Sequence, residues 1–266
     1  MNWGKMKTLF IYLFVALNAV LLTFYIYTVQ KNKTEIVQEK EIIERSMKND
    51  NITVEENATK RDNLGYVNVT ISDLKDIRKE DSGLKYEVEN VDKTSTLKVS
   101  SENVITNVNK GSYRAELDSF LLEKMKLSAN YIFSSYNSSK NEVIFEQQID
   151  SFRVFSNKNA RIVFSVESNG DIKNFTLTSV SNIRKDKNET LVPSSQAINR
   201  LYHEDLIPKN CRVRTTLGYY TYISQTENQV LIPTWNVEIS DKDGQISNYY
   251  VDAINLNVLN RKGHNS

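Results

Sequence analysis

The chain has 266 residues, and its 34 Lys+Arg against 33 Asp+Glu leave a net charge of +1. That balance excludes the long-range positive field that draws a protein to nucleic acid, and no nucleic-acid partner is expected. A single cysteine, Cys211, excludes an internal disulfide, and the scarcity of Pro (3) and Gly (8) favours long regular elements over a loop-rich fold.

From Thr8 to Thr28 the chain reads TLFIYLFVALNAVLLTFYIYT. At 1.5 Å per residue this helix would span about 31 Å, against about 30 Å of bilayer hydrocarbon. A secretory signal has a shorter apolar core that ends in small residues. Here the exit is Tyr25-Ile26-Tyr27, without an Ala-x-Ala site and without a Cys to carry a lipid. The pattern predicts an uncleaved transmembrane helix over 8–28, with 1–7 as a cytoplasmic tail. Lys5 and Lys7 precede the span and Lys31 and Lys33 follow it, so the positive-inside count is nearly even. The short tail is too small for a domain, which favours the N-terminus inside and the large domain outside. Asn18 sits at mid-span. Its amide either bonds the backbone of its own helix or meets a neighbouring helix, an interaction worth about 0.6–2 kcal/mol. Ala16 and Ala19 permit close helix approach, and Ala16, Asn18, Ala19 and Leu22 form the candidate contact face.

Residues 29–63 read as a membrane-proximal helix continuing the anchor and then a linker rich in Asn, Thr and Glu. The helix has a thin apolar stripe at Ile36, Ile43 and Met47. Alternation predicts strands at 66–72, 84–91 and 96–100. A helix follows over 113–127, with Leu117, Phe120, Leu121, Met125 and Leu127 on its buried face. Strands come next at 131–136, 142–149 and 160–168, a hairpin turn at Asn169-Gly170, and a returning strand at 172–183. The order then repeats. A helix over 194–207 is capped by Ser194 or Ser195 and ended by Pro208. Strands follow at 212–224 and 230–240, a turn at Asp243-Gly244, and a return at 246–259. The expected fold class is α+β: a transmembrane helix, then two helix-plus-antiparallel-sheet units over 64–186 and 187–262, with 263–266 as a tail.

Chemistry-bearing clusters are sparse. His203, Glu204 and Asp205 are consecutive on a helix and point in different directions, so they cannot converge on one metal. Asp241-Lys242-Asp243-Gly244 looks like the start of a calcium loop, but the twelfth position is Asp252 and the intervening residues read as strand; a turn is the simpler reading. Cys211 has only His203 as a remote candidate base, and no Gly-rich phosphate loop is present. No catalytic, cofactor-binding or metal-binding residue is expected, and the chain does not read as an enzyme. Tyr219, Tyr220, Tyr222, Trp235, Tyr249 and Tyr250 cluster in the C-terminal strands, either as sheet core or as an exposed partner surface.

Asn2-Trp3 ahead of the lysine-flanked anchor, GYYTYIS (218–224), LIPTWNVEI (231–239) and YYVDAIN (249–255) resemble the YycI family of low-GC Gram-positive bacteria, and the resemblance covers the whole chain. It implies a membrane-anchored accessory regulator of the WalK/WalR (YycG/YycF) two-component system, which governs cell-wall metabolism. The implied partners are the WalK/YycG-like sensor histidine kinase, contacted largely through transmembrane helices, and a YycH-like protein with a similar outer domain. The implied location is the cell membrane, single-pass, with the C-terminal domain extracellular. The rival reading is an extracytoplasmic ligand-binding or cell-wall-sensing module.

Overall fold

Runs of β-branched and aromatic residues separated by Asn, Asp and Gly fill the chain beyond the apolar helix, and they fold as strands. The computed structural model describes residues 3–55, 63–75, 83–91, 94–125, 131–221 and 227–260, with the side chains of 3–5, 29–40 and 91 also left undescribed. The chain divides into two units, 1–53 with 208–211, and 54–207 with 212–266.

The first unit is built on α1 (Trp3–Asn49), one continuous helix of 47 residues and about 70 Å. Anchor and membrane-proximal helix are therefore a single element. Of the thin stripe, Ile43 and Met47 are buried while Ile42 is 63% exposed; the Ile36 side chain lies outside the described residues. The helix closes with Asn51 in the left-handed region at φ 56°. The Ile52 N–H donates to the Met47 carbonyl (2.9 Å) and the Asn51 N–H to Lys48 (3.1 Å), a Schellman closure. The short segment 208–211 grips this end. The Asn210 N–H donates to the Asp50 carbonyl (2.9 Å), and the Thr53 N–H donates to the Cys211 carbonyl (2.9 Å). Lys209 Nζ lies 2.7 Å from the Asp50 carboxylate.

In the second unit β1 (Thr53–Glu55), β2 (Asn63–Leu64), β3 (Val67–Ile71), β4 (Leu84–Val91), β5 (Thr94–Ser101) and β6 (Thr106–Asn107) precede α2 (Tyr113–Phe120). A π-helical turn (Leu121–Met125) extends α2, so the predicted 113–127 helix is regular only in its first half, and Leu127 lies outside the described residues. Then come β7 (Tyr131–Asn137), β8 (Glu142–Ile149), β9 (Phe152–Phe155), β10 (Arg161–Val166), β11 (Asp171–Leu177), β12 (Val180–Lys185) and β13 (Glu189–Thr190). The helix α3 (Ser194–His203) leads to β14 (Arg212–Tyr220), β15 (Asn228–Ser240) and β16 (Ile246–Asp252).

Among the described residues fourteen strands form one sheet whose main path runs β12-β3-β15-β14-β9-β8-β10-β11-β5-β4, with β16 on β15 and β7 on β8. The fold is α+β, an apolar N-terminal helix and a large sheet domain. Leu117 and Leu121, both fully buried, seat α2 and its π turn on Leu97, Phe145, Phe164 and Phe175 of the sheet. Each such leucine contributes about 1.5–3 kcal/mol. Ala197, Ile198 and Leu201 are the buried face of α3, which packs on β15.

Several elements differ from the sequence expectation. β9 was not predicted. Its turn is Asp150-Ser151, with φ of 51° and 70°, the geometry that Asn-Gly normally announces. The expected 172–183 strand is two strands, β11 and β12. At the break the buried Gln147 amide donates to the Val180 carbonyl (2.9 Å) and accepts the Val180 N–H (2.9 Å), replacing a strand pair. α3 starts after Pro193 with no side-chain cap, so neither serine caps it. It ends well before Pro208, where Asp205 is left-handed (φ 55°) and the Leu206 N–H reaches the Leu201 carbonyl at 3.0 Å. Asn169-Gly170 and Asp243-Gly244 are turns, with Gly170 at φ 89° and Gly244 at φ 79°.

Candidate functional site

The first candidate is the face of the spanning helix. Met6–Thr28 is long and apolar enough to cross a membrane once, and its described side chains are exposed. At about 100° per residue, Asn18, Leu22, Ala19 and Ala16 fall within an arc of roughly 160°. Asn18 Nδ2 donates to the Phe14 carbonyl at 2.8 Å. One donor of the amide is thus spent inside the helix, leaving the other donor and the carbonyl oxygen of the group. Sequence reading missed Thr23, which falls in the same arc between Ala19 and Ala16. Its hydroxyl donates to the Ala19 carbonyl at 2.5 Å. Intrahelical bonds of this kind remove most of the penalty for a polar side chain in hydrocarbon.

The second candidate is the aromatic cluster. Tyr219 (2% exposed), Trp235 (5%), Tyr249 and Tyr250 are buried, Tyr220 is partly exposed, and Tyr222 lies outside the described residues. The buried rings are sheet core rather than an open surface. The cause is strand register. Trp235 on β15 faces Leu217 of β14 and Val251 of β16, and its indole N–H donates to the Val192 carbonyl at 2.8 Å. Tyr250 stacks on Tyr220 at 4.6 Å and on Phe155 at 5.6 Å between centroids. Gly218 makes this possible. A Cβ there would sit 2.4 Å from the Arg153 carbonyl oxygen, so β9 could not run parallel to β14 in the register Gly218↔Arg153.

Beside those rings lies a buried carboxylate that the sequence did not single out. Glu146 is 7% exposed. Its Oε1 accepts the Ser156 N–H (2.7 Å), its Oε2 accepts the Ser134 hydroxyl (3.0 Å), and Arg153 Nε stands 3.7 Å away. Burial raises its pKa above the ordinary carboxylate range, against the opposing Ser156 bond and Arg153 charge. Tyr250, whose hydroxyl is 2.7 Å from that of Ser156, is pushed up to about 12, chiefly by burial. The run EVIFEQQI reads as a strand, and nothing in it marks this Glu as covered.

The remaining sequence candidates have structural roles. Asp241 accepts the N–H groups of Asp243 (2.9 Å) and Gln245 (2.8 Å), which makes it the organiser of a tight turn. Asp252 is buried and accepts the N–H groups of Ile254 and Asn255. Cys211 is buried at the entry to β14. Glu204 pairs with Arg200 at 2.8 Å. Among the described residues no three His, Cys, Asp or Glu side chains are placed to hold a metal ion.

None of the curated proteins matches the chain significantly. Solved structures with a similar course include an uncharacterized protein from Eubacterium rectale ATCC 33656, at 7% identity over 80% of this chain and 92% of that one, TM-score 0.47. The C-terminal domain of Bacillus megaterium YpeB is similar at 12% identity over 84% of this chain and 95% of that one, TM-score 0.43. The model of the YycI protein family matches residues 30–254. With that match spanning most of its length, the chain belongs to the YycI family, accessory regulators of a two-component system.

Proposed function

We propose that this protein modulates a WalK/YycG-like sensor histidine kinase that controls cell-wall metabolism, acting together with a YycH-like partner. In this reading the N-terminus is cytoplasmic and the sheet domain extracellular. The observation that carries it is the family match over 30–254 in a chain that begins with an exposed apolar helix, Met6–Thr28. Contact is made by the face of Ala16, Asn18, Ala19 and Leu22 and by the outer domain, read as helix-plus-sheet units over 64–186 and 187–262. No chemistry is required of the protein. A regulator that binds one kinase state better than the other by about 1–3 kcal/mol shifts its output about 5–150-fold. The decisive experiment expresses residues 1–33 alone in a strain that lacks this protein. Restored kinase output places the activity in the membrane helix, and failure to restore it places the activity in the outer domain. Loss of all effect on the kinase when the full chain is deleted and restored would end the reading.

A second reading, an extracytoplasmic ligand-binding or cell-wall-sensing module, loses most of the Tyr/Trp cluster to the core. Of the described rings, Tyr220 remains partly exposed.

A further inference from the structure

The sheet has a second feature, on the face turned away from α2. Alternation along β10 sends Ile162 and Phe164 into the core and leaves Arg161 and Val163 on the other side. Thr176 of β11 faces Val163, and Thr96 and Thr94 of β5 continue the same face. Together with Lys158, Asn159 and Thr178 they line an open groove of about 360 Å³. Such a volume accommodates one small ligand.

The groove has a fixed end. Asn157 is fully buried, its Nδ2 donating to Gln229 Oε1 (2.8 Å) and its Oδ1 accepting the Asn159 N–H (2.9 Å). Thr178 Oγ1 donates to the Lys158 carbonyl (2.8 Å) and accepts the Arg161 N–H (3.2 Å). Tyr131 in turn donates to the Thr178 carbonyl at 2.9 Å. The backbone that carries both cations is therefore held before any ligand arrives.

Its charge is one-sided. The lining contains Lys158 and Arg161 and no acid. Neighbouring cations are neutralised: Lys98 by Glu89, Lys173 by Glu167, and Arg153 by Glu146. Among the described residues neither Lys158 nor Arg161 has a carboxylate within ion-pair distance. The nearest cross-strand acid, Glu146 opposite Arg161, is already engaged by Ser156, Ser134 and Arg153. In a chain of net charge +1, two cations stand together in a groove whose lining holds no acid, Glu146 acting on Arg161 only electrostatically from the opposite strand. The Thr178 hydroxyl is spent on the Lys158 carbonyl and the Thr94 hydroxyl donates to Asn159 Oδ1 (3.4 Å), while Thr96 and Thr176 add two further hydroxyls to the lining.

We infer that this groove binds a phosphate ester of a sugar or polyol, with Lys158 and Arg161 on the phosphate and Thr96 and Thr176 on the hydroxyls. The fork of Arg161 suits phosphate oxygens and the point charge of Lys158 adds to it. The inference does not depend on the regulatory reading. The shared chemistry has two sources, a free sugar phosphate and a phosphodiester-linked polymer.

The test titrates the full-length protein in detergent micelles, by calorimetry, with glucose 6-phosphate, with an oligomer of glycerol phosphate, and with glucose. Saturable binding of either phosphorylated probe and none of glucose is the expected result; preference for the oligomer or for the monomer identifies the source. Lys158→Gln and Arg161→Gln should each weaken that binding about tenfold. Lys158 is exposed, so its variant keeps the fold, and a melting curve checks Arg161→Gln. Absence of saturable binding up to ~10 mM, equal binding of glucose, or unchanged affinity in the double variant would overturn the assignment.

Discussion

The Asn51 side-chain amide donates to Asn210 Oδ1 at 3.1 Å, across 159 residues of sequence. Asn51 is also the left-handed residue that closes α1, at φ 56°. One side chain thus ends the long helix and ties it to 208–211, and Cys211 is followed directly by Arg212, the first residue of β14.

The two roles of Asn51 separate by substitution. Asn51→Gly keeps the left-handed backbone and loses the hydrogen bond, with an expected loss of about 0.5–1.5 kcal/mol. Asn51→Ala adds the left-handed penalty of a Cβ, a further ~1 kcal/mol. Thermal melting of the micelle-bound protein should rank native above Gly above Ala. Ala equal to Gly would show that the backbone conformation carries no energy.

Asn18→Leu tests the membrane face. If the amide meets a kinase helix, its removal takes away about 0.6–2 kcal/mol, and recovery of the kinase in co-purification falls about 3–30-fold. Thr23→Val, in the same arc, should add to the loss. Undiminished recovery in both variants would take these two residues out of the interface.

Gly218→Ala puts a Cβ 2.4 Å from the Arg153 carbonyl oxygen and 2.5 Å from the Phe155 ring. Neither the backbone of β9 nor a buried ring can yield cheaply, so a loss of about 3 kcal/mol is expected. Gly111→Ala, with nothing within 4 Å of the new atom, is the control and should change stability by less than ~1 kcal/mol. Similar melting temperatures for the two variants would contradict the close β9–β14 approach.

Glu146 gives a pH signature with a definite sign. Its folded pKa is raised from an ordinary value of 4.5, first by burial. Relative to the unfolded chain, folding therefore favours the protonated form. That stabilisation is complete below pH 4.5 and is lost as pH rises through the folded value. Glu146→Gln keeps an acceptor for the Ser156 N–H and has no proton to lose. The melting temperature of the native protein relative to this variant should fall by a few degrees between acid and neutral pH. Parallel curves would show that folding does not raise the carboxyl's pKa.

Local patterning was enough for the long apolar helix, most strands, the two glycine turns and the buried face of α2. Each of these depends on residues close in sequence. β9 escaped because Asp150-Ser151 adopts a left-handed turn without a glycine. Glu146 escaped because alternation says which side of a strand a residue occupies, not whether that side is covered. The ends of α1 and α3 escaped because Asn51 and Asp205 do what glycine usually does. The groove residues were unremarked for a related reason: Thr94, Lys158 and Thr178 are far apart in the chain.

The amino-acid order alone determined that one apolar helix precedes a strand-rich polar domain, because helix length and side-chain alternation are set by neighbours a few positions away. Only the tertiary structure decided that β9 lies parallel to β14, that four rings of the C-terminal tyrosine and tryptophan cluster are core, and that two cations share a groove lined by no acid. Those outcomes depend on which distant strands pair and in what register, and a one-residue slip would send every side chain to the opposite face.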